Sequence, residues 1–260
     1  MEWSKIKTLF IYLFLGLNII LVSIYGYTVY KNKAEVYKEK DEIIKSLQSN
    51  NITIIEPTIK KDVLGYVNAT VKTITSPVDI KGEHNYETIT QNDITKLSVT
   101  TEKVLANINK DNYKELLSTF LNTEVSKTSY YVFDSYDENK KNVTYRQAFE
   151  GLKIYDNNNA VVNFQVEDNG DIVSFTQTSL DDFKQENVGM IANYRQAVYK
   201  LYHENYIPNN SEVVSEIGYY TYISQLTNQV LIPTWRIEVK TDGKVRVYYV
   251  DAFNIKILNK

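Results

Sequence analysis

The stretch NFQVEDNGDIVSF, residues 163–175, returns without a gap as RIEVKTDGKVRVY at residues 236–248. In both copies apolar and polar residues alternate before and after a turn, the period-2 signature of a strand with one buried face. Asn169-Gly170 and Asp242-Gly243 mark the turns, and this pairing predicts type I′ hairpins, in which both central residues take positive φ. Before the second copy, GMIANYRQAVYKLYHENYI (residues 189–207) places Ile191, Tyr194, Ala197, Val198, Leu201 and Tyr202 on one helical face. In the equivalent place before the first copy, residues 109–122 put Tyr113, Leu116, Leu117, Phe120 and Leu121 at spacings of three and four. A helix, a strand, a turn and a strand, met twice, predict an α+β fold of two tandem units, each a helix packed on an antiparallel sheet.

Outward from this repeat, strands are expected at residues 64–74, 95–100, 130–137, 143–155, 160–167 and 171–178, with a loop around Gly82-Glu83-His84-Asn85 and breaks at Pro57 and Pro77. At the amino terminus, Thr8 to Tyr30 carries no charged residue. At about 1.5 Å per residue it spans roughly 34 Å, enough for the ~30 Å hydrocarbon core of a bilayer. Bulky Tyr25 and Tyr27 stand where a signal-peptidase site would need small residues, so the segment reads as an uncleaved anchor. The organisation is therefore a tail (1–7), a transmembrane helix (8–30), a helical stalk (31–49) and two α+β units (50–180 and 181–260). Val29, Val36 and Ile43 recur every seven residues in the stalk, although Lys33 and Lys40 interrupt the seam. Lysines flank the anchor on both sides, and long domains cross regardless of charge, so charge alone does not orient it.

Composition limits the chemistry. With 29 Lys and Arg against 32 Asp and Glu, and no basic run, nucleic acid is not an expected partner. The absence of cysteine removes thiol nucleophiles, disulfides and Cys-ligated metals, and two histidines are too few for a three-histidine site. No phosphate-binding loop, nucleophile elbow or zinc signature occurs, so neither catalysis nor a cofactor is expected. His203-Glu204 reads as a helix end, and Asp168 to Asp171 as a turn lacking the calcium-loop pattern.

Contact surfaces are the better expectation. Gly16, Ser23 and Gly26 fall along one stripe of the anchor, where small residues admit a neighbouring helix, and Asn18 is an amide at hydrocarbon depth that calls for a partner. Among the 22 tyrosines, Tyr220 and Tyr222 are expected on one face of a strand with Tyr219 on the other. Core packing is the first reading of these tyrosines and an interface the second, since exposed tyrosines add contact area at low entropy cost.

The segments WSKIKTLFI from Trp3, NIILVSIY from Asn18, VNFQVEDN from Val162, RQAVYKLY from Arg195, GYY from Gly218 and WRIEVKTDGK from Trp235 together resemble the YycI (WalI) family. The resemblance is clearest through the membrane segment and from about Tyr145 onward. It implies a single-pass accessory protein of the WalK/WalR two-component system, with a cytoplasmic amino terminus and an extracytoplasmic domain. Its implied partners are membrane lipid, a YycH (WalH)-like protein and a WalK-like sensor histidine kinase, in a Gram-positive cell-wall pathway. It carries over no catalytic residue. An extracytoplasmic binding or inhibitor module on a membrane anchor is the alternative.

Overall fold

The structure, a computed structural model, describes residues 3–76, 80–91, 93–125 and 130–258, apart from the side chains of residues 4–5 and 27–44. Its helices are α1 (Trp3–Ser49), α2 (Tyr113–Phe120) and α3 (Tyr194–His203), with a π-helical turn at Leu121–Val125 following α2. The strands are β1 (Thr53–Ile55), β2 (Val63–Lys72), β3 (His84–Gln91), β4 (Ile94–Thr101), β5 (Ala106–Asn107), β6 (Tyr130–Asp137) and β7 (Asn142–Phe149). They continue with β8 (Leu152–Tyr155), β9 (Val161–Val166), β10 (Asp171–Gln177), β11 (Ser179–Met190), β12 (Glu212–Ser224), β13 (Asn228–Thr241) and β14 (Lys244–Asp251).

Two compact units divide the chain: residues up to Thr53 with Asn209–Ser211, and Ile54–Pro208 with Glu212–Lys260. In the first, α1 runs unbroken through the expected anchor and stalk, and Ile6–Gly26 is long and apolar enough to cross a membrane. The helix stops in a Schellman motif. Asn51 takes the left-handed conformation at φ 53°, Ile52 N–H donates to the Leu47 carbonyl at 2.9 Å, and Asn51 N–H donates to that of Gln48 at 3.1 Å. The stalk seam of Val29, Val36 and Ile43 falls on side chains outside the described residues, as does Pro77.

In the second unit the strands join one hydrogen-bonded path, β11-β2-β13-β12-β8-β7-β9-β10-β4-β3. All pairings along it are antiparallel except β8 with β12. The fold is α+β with a large, mostly antiparallel sheet. Its strands do not follow a chain cut near residue 180: β2 lies between β11 and β13, among strands of the carboxyl-terminal part.

Register places both short helices on the same side of this sheet. Phe149 pairs with Leu152, Ile154 with Tyr219, and Ile217 with Trp235, so the face bearing Tyr145 and Phe149 continues into that bearing Tyr219 and Trp235. On it Leu117, Phe120, Leu121 and Val125 pack with Tyr145, Phe164, Ile172 and Phe175 in one buried cluster. Further along, Trp235 meets the Tyr194 ring and donates its indole N–H to the Ala192 carbonyl at 2.8 Å. Each such buried aromatic or branched side chain stabilises the layer by about 1.5–3 kcal/mol.

Several sequence expectations are corrected. The helix expected over 189–207 begins only at Tyr194, because the Asn193 side chain accepts from Gln196 N–H while Gln196 reaches back to Asn193 N–H, a complete capping box. Residues 179–190 ahead of it form β11, an edge strand whose polar sequence hides it. The run 143–155 is two strands, divided at Glu150 (φ 50°) and Gly151 (φ 80°), where positive φ at both central residues makes a type I′ turn. His84 opens β3 rather than lying in a loop. Only the second repeat hairpin has the expected turn: Asp242 and Gly243 both take positive φ, whereas in the first Gly170 alone does, at 87°. There Gly170 N–H donates to the Glu167 carbonyl, a type I turn followed by a left-handed glycine.

Candidate partner-binding surfaces

The expected contact residues of α1 are spread around the helix. Gly16 and Gly26 have open space around them, and Ser23 Oγ donates to the Ile19 carbonyl at 2.8 Å. Asn18 lies roughly 160° around the helix from Gly16, and its amide nitrogen donates to the Phe14 carbonyl at 2.8 Å. The helix itself thus satisfies the amide nitrogen, and Asn18 stands about 80° around the helix from Gly26.

Tyr220 and Tyr222 also part company. Thr221 pairs with Leu231 but Ile223 with Val230, so Tyr222 is an extra residue bulged out of β12 and is 58% exposed. With exposed Ile223 and Leu226 it gives the β12–β13 hairpin an apolar tip, inside a run from Ile217 to Trp235 without a charged residue. Tyr220 instead lies on the sheet face away from the helices, its ring 5.1 Å from that of Tyr249. Burial, followed by the Asp156 carboxylate, pushes its hydroxyl up to about 12.

Around Tyr220 this helix-free face carries a cluster that single residues did not announce. The Tyr155 and Tyr249 rings are 5.5 Å apart, and the Arg236 guanidinium stands 5.8 Å from the Tyr155 ring centre. Arg236 pairs with Glu238 at 2.6 Å, and Lys153 with Glu216 at 3.2 Å. Burial disfavours the Arg236 charge, but the Glu238 carboxylate outweighs it and holds the guanidinium protonated. Gly218 is required here: a Cβ would strike the Tyr155 ring and come within 2.6 Å of the Lys153 carbonyl. The Tyr155 hydroxyl is buried without a hydrogen bond among the described residues, and burial, then Glu216, pushes it well above the usual tyrosine range. The sequence signal was alternation: Arg236 and Glu238 share a face with Glu216, Tyr220 and Tyr249 once the β12–β13–β14 register is known.

Elsewhere, His84 Nδ1 lies 2.9 Å from the Gly82 carbonyl, and His203 ends α3. Among the described residues no group of three or more His, Asp or Glu could hold a metal ion. Asp168 pairs with Lys141. A mixed cavity of about 400 Å³ lies along α2, lined by Lys103, Val104, Glu115, Leu116 and Phe120 among others.

These features define a class: an α+β protein with a large, mostly antiparallel sheet and, among the described residues, one apolar helix near the amino terminus, consistent with a single-pass membrane anchor. The chain belongs to the YycI protein family, whose family model matches residues 31–253. Membership suggests a regulatory accessory role in the WalK/WalR system. No curated protein matches the chain. A crystal structure of an uncharacterized protein from Eubacterium rectale ATCC 33656 is similar over 81% of this chain and 91% of that one, at 8% identity and a TM-score of 0.49. The Bacillus megaterium YpeB C-terminal domain covers 73% of this chain and 88% of its own, at 14% identity and a TM-score of 0.38.

Proposed function

We propose that this protein is a non-catalytic, membrane-anchored regulator that binds a YycH-like protein and a WalK-like sensor histidine kinase and modulates two-component signalling tied to the cell wall. Family membership over residues 31–253 is the observation that carries this reading. The absence of any cysteine and the paired state of the charges on the helix-free sheet face support action by contact rather than by chemistry. The amino terminus lies in the cytoplasm and the α+β part outside, organised around α2 and α3, each on its own group of strands.

Purifying the full chain from membranes should recover the kinase and the YycH-like protein together, and recovery of neither overturns the proposal. Tyr222→Asp, at a bulge where the side chain is exposed, should lower that recovery without unfolding the protein. A single cysteine at Thr241 should react with an impermeant thiol reagent on intact cells; reaction only after lysis places the α+β part inside.

A further inference from the structure

The two ends of the sheet path are built differently. At one end, β11 is broken twice against β2, between Asp181 and Lys184 and between Glu186 and Gly189. Asp182 and Asn187 are left-handed there, and Asp181, Asp182, Lys184 and Glu186 lie along it. Bulges and charges of this kind keep an edge from pairing with another chain. At the other end, β3 holds all eight residues in unbroken register with β4, from His84 opposite Thr101 to Gln91 opposite Ile94. It has no bulge and no proline, carries Glu87 as its one carboxylate, and is exposed along almost its whole length.

The hydrogen-bond phase of β3 follows from the pair at the open end of its hairpin with β4. Glu102 N–H donates to the Glu83 carbonyl at 3.2 Å, which makes that pair a hydrogen-bonded one, and such pairs alternate along an antiparallel ladder. Asn85, Glu87, Ile89 and Gln91 therefore turn their backbone groups toward β4. Tyr86, Thr88 and Thr90 turn theirs outward, and among the described residues no hydrogen bond reaches them from the far side.

We propose that this edge pairs with β3 of a second copy of the chain, antiparallel about a two-fold axis at Thr88. The sequence NYETITQ, residues 85–91, meets its own reversal about that point residue for residue, with no like charges opposed. Asn85 meets the partner's Gln91, Tyr86 meets the partner's Thr90, Thr88 meets itself, and Glu87 lies against the partner's Ile89. Aromatic with β-branched and threonine with threonine are stabilising cross-strand pairs, whereas like charges directly opposite are not. A two-fold axis at Glu87 would set that carboxylate against its own copy; the axis at Thr88 avoids this and pairs all seven residues. The surface is isologous, as closed dimers require. One strand pair is smaller than the ~1,600 Å² of a standard stable interface, so pairing is expected where chains are held at high local concentration, as in a membrane. This inference stands apart from the regulatory reading and does not depend on it.

The chain has no cysteine, so an introduced thiol reports alone. Directly opposed residues of a hydrogen-bonded antiparallel pair have Cα atoms about 5.5 Å apart, within disulfide reach, while two copies of residue 91 would be separated by roughly 20 Å. Full-length Thr88→Cys in isolated membranes under mild oxidation should form a disulfide-linked homodimer at least about tenfold faster than Gln91→Cys. Adding Thr90→Pro removes an outward donor that the β3–β4 hairpin does not use, so the hairpin should survive and the cross-link should fall to the Gln91→Cys level. Equal rates for Thr88→Cys and Gln91→Cys, survival of the dimer with Thr90→Pro, or protection of Thr88→Cys by a different protein bound along β3 would each overturn the proposal.

Discussion

Residues 163–175 and 236–248 share one pattern but are read differently by their surroundings. Ile172 and Val245 occupy the same place in the two copies, yet Ile172 is 0% exposed and Val245 is 55% exposed. The difference is one residue of register. In β10 Ile172 pairs with Val166 but Ser174 with Gln165, so Val173 is bulged, and both Ile172 and Phe175 turn into the core. In β14 the pairing with β13 runs unbroken from Lys244 to Asp251, so Tyr248 turns inward and Val245 outward. The first hairpin has neighbours on both sides, β7 and β4, while β14 pairs with β13. An identical hydrophobic pattern therefore does not fix which of its apolar residues are buried; a bulge can reverse the choice halfway along a strand.

Five substitutions test that contrast in the full chain, each read as the shift in a urea or thermal unfolding transition in detergent. Ile172→Ala should cost about 2–5 kcal/mol, as a large-to-small change in a packed core does. Next, Gly170→Ala combines the ~1–2 kcal/mol penalty of a left-handed alanine with a Cβ driven against the Asn109 and Asn107 side chains, and should lose roughly 2–4 kcal/mol. The bulge itself is held by Thr101, whose buried hydroxyl lies 2.9 Å from the Val173 carbonyl and 2.8 Å from that of Lys103. Thr101→Val should thus cost about 1–3 kcal/mol, the penalty of leaving a buried acceptor unmatched. Gly243→Ala meets no neighbour and should lose only the ~1–2 kcal/mol backbone term. Val245→Ala should stay within about 0.5 kcal/mol. Equal losses for Ile172→Ala and Val245→Ala would mean that the two copies are packed alike and that the bulge is not decisive.

Legibility followed the range of the interactions. The Asp242-Gly243 turn could be read because its conformation depends on two adjacent residues. Asn169-Gly170 misled because its turn is held from outside: Asn107 Nδ2 donates to Asp171 Oδ1 at 2.8 Å, and Ile108 N–H donates to the Gly170 carbonyl at 2.9 Å. The apolar anchor and both amphipathic helices were visible as periodicity, although the start of α3 had to be taken from the Asn193 cap rather than from the apolar face. Tyr220 lies on a strand, as the alternation predicts. Its neighbours Tyr155, Arg236 and Tyr249 are not legible in the sequence, because they come together only through the parallel pairing of β8 with β12 and the register of β12, β13 and β14. A period of two puts Tyr222 on the same face as Tyr220, and the bulge between Thr221 and Ile223 interrupts that period.

The sequence by itself determined the apolar helix, the α+β class, the two hairpins and the family, since composition, periodicity and turn chemistry act over a few residues. The tertiary structure alone decided that β2 joins the carboxyl-terminal strands, that Tyr222 leaves the ladder, and that Ile172 is core while Val245 is surface. The last of these rests on the Thr101 hydroxyl meeting a carbonyl 72 residues along the chain, a contact that exists only when the strands between them have already found their places.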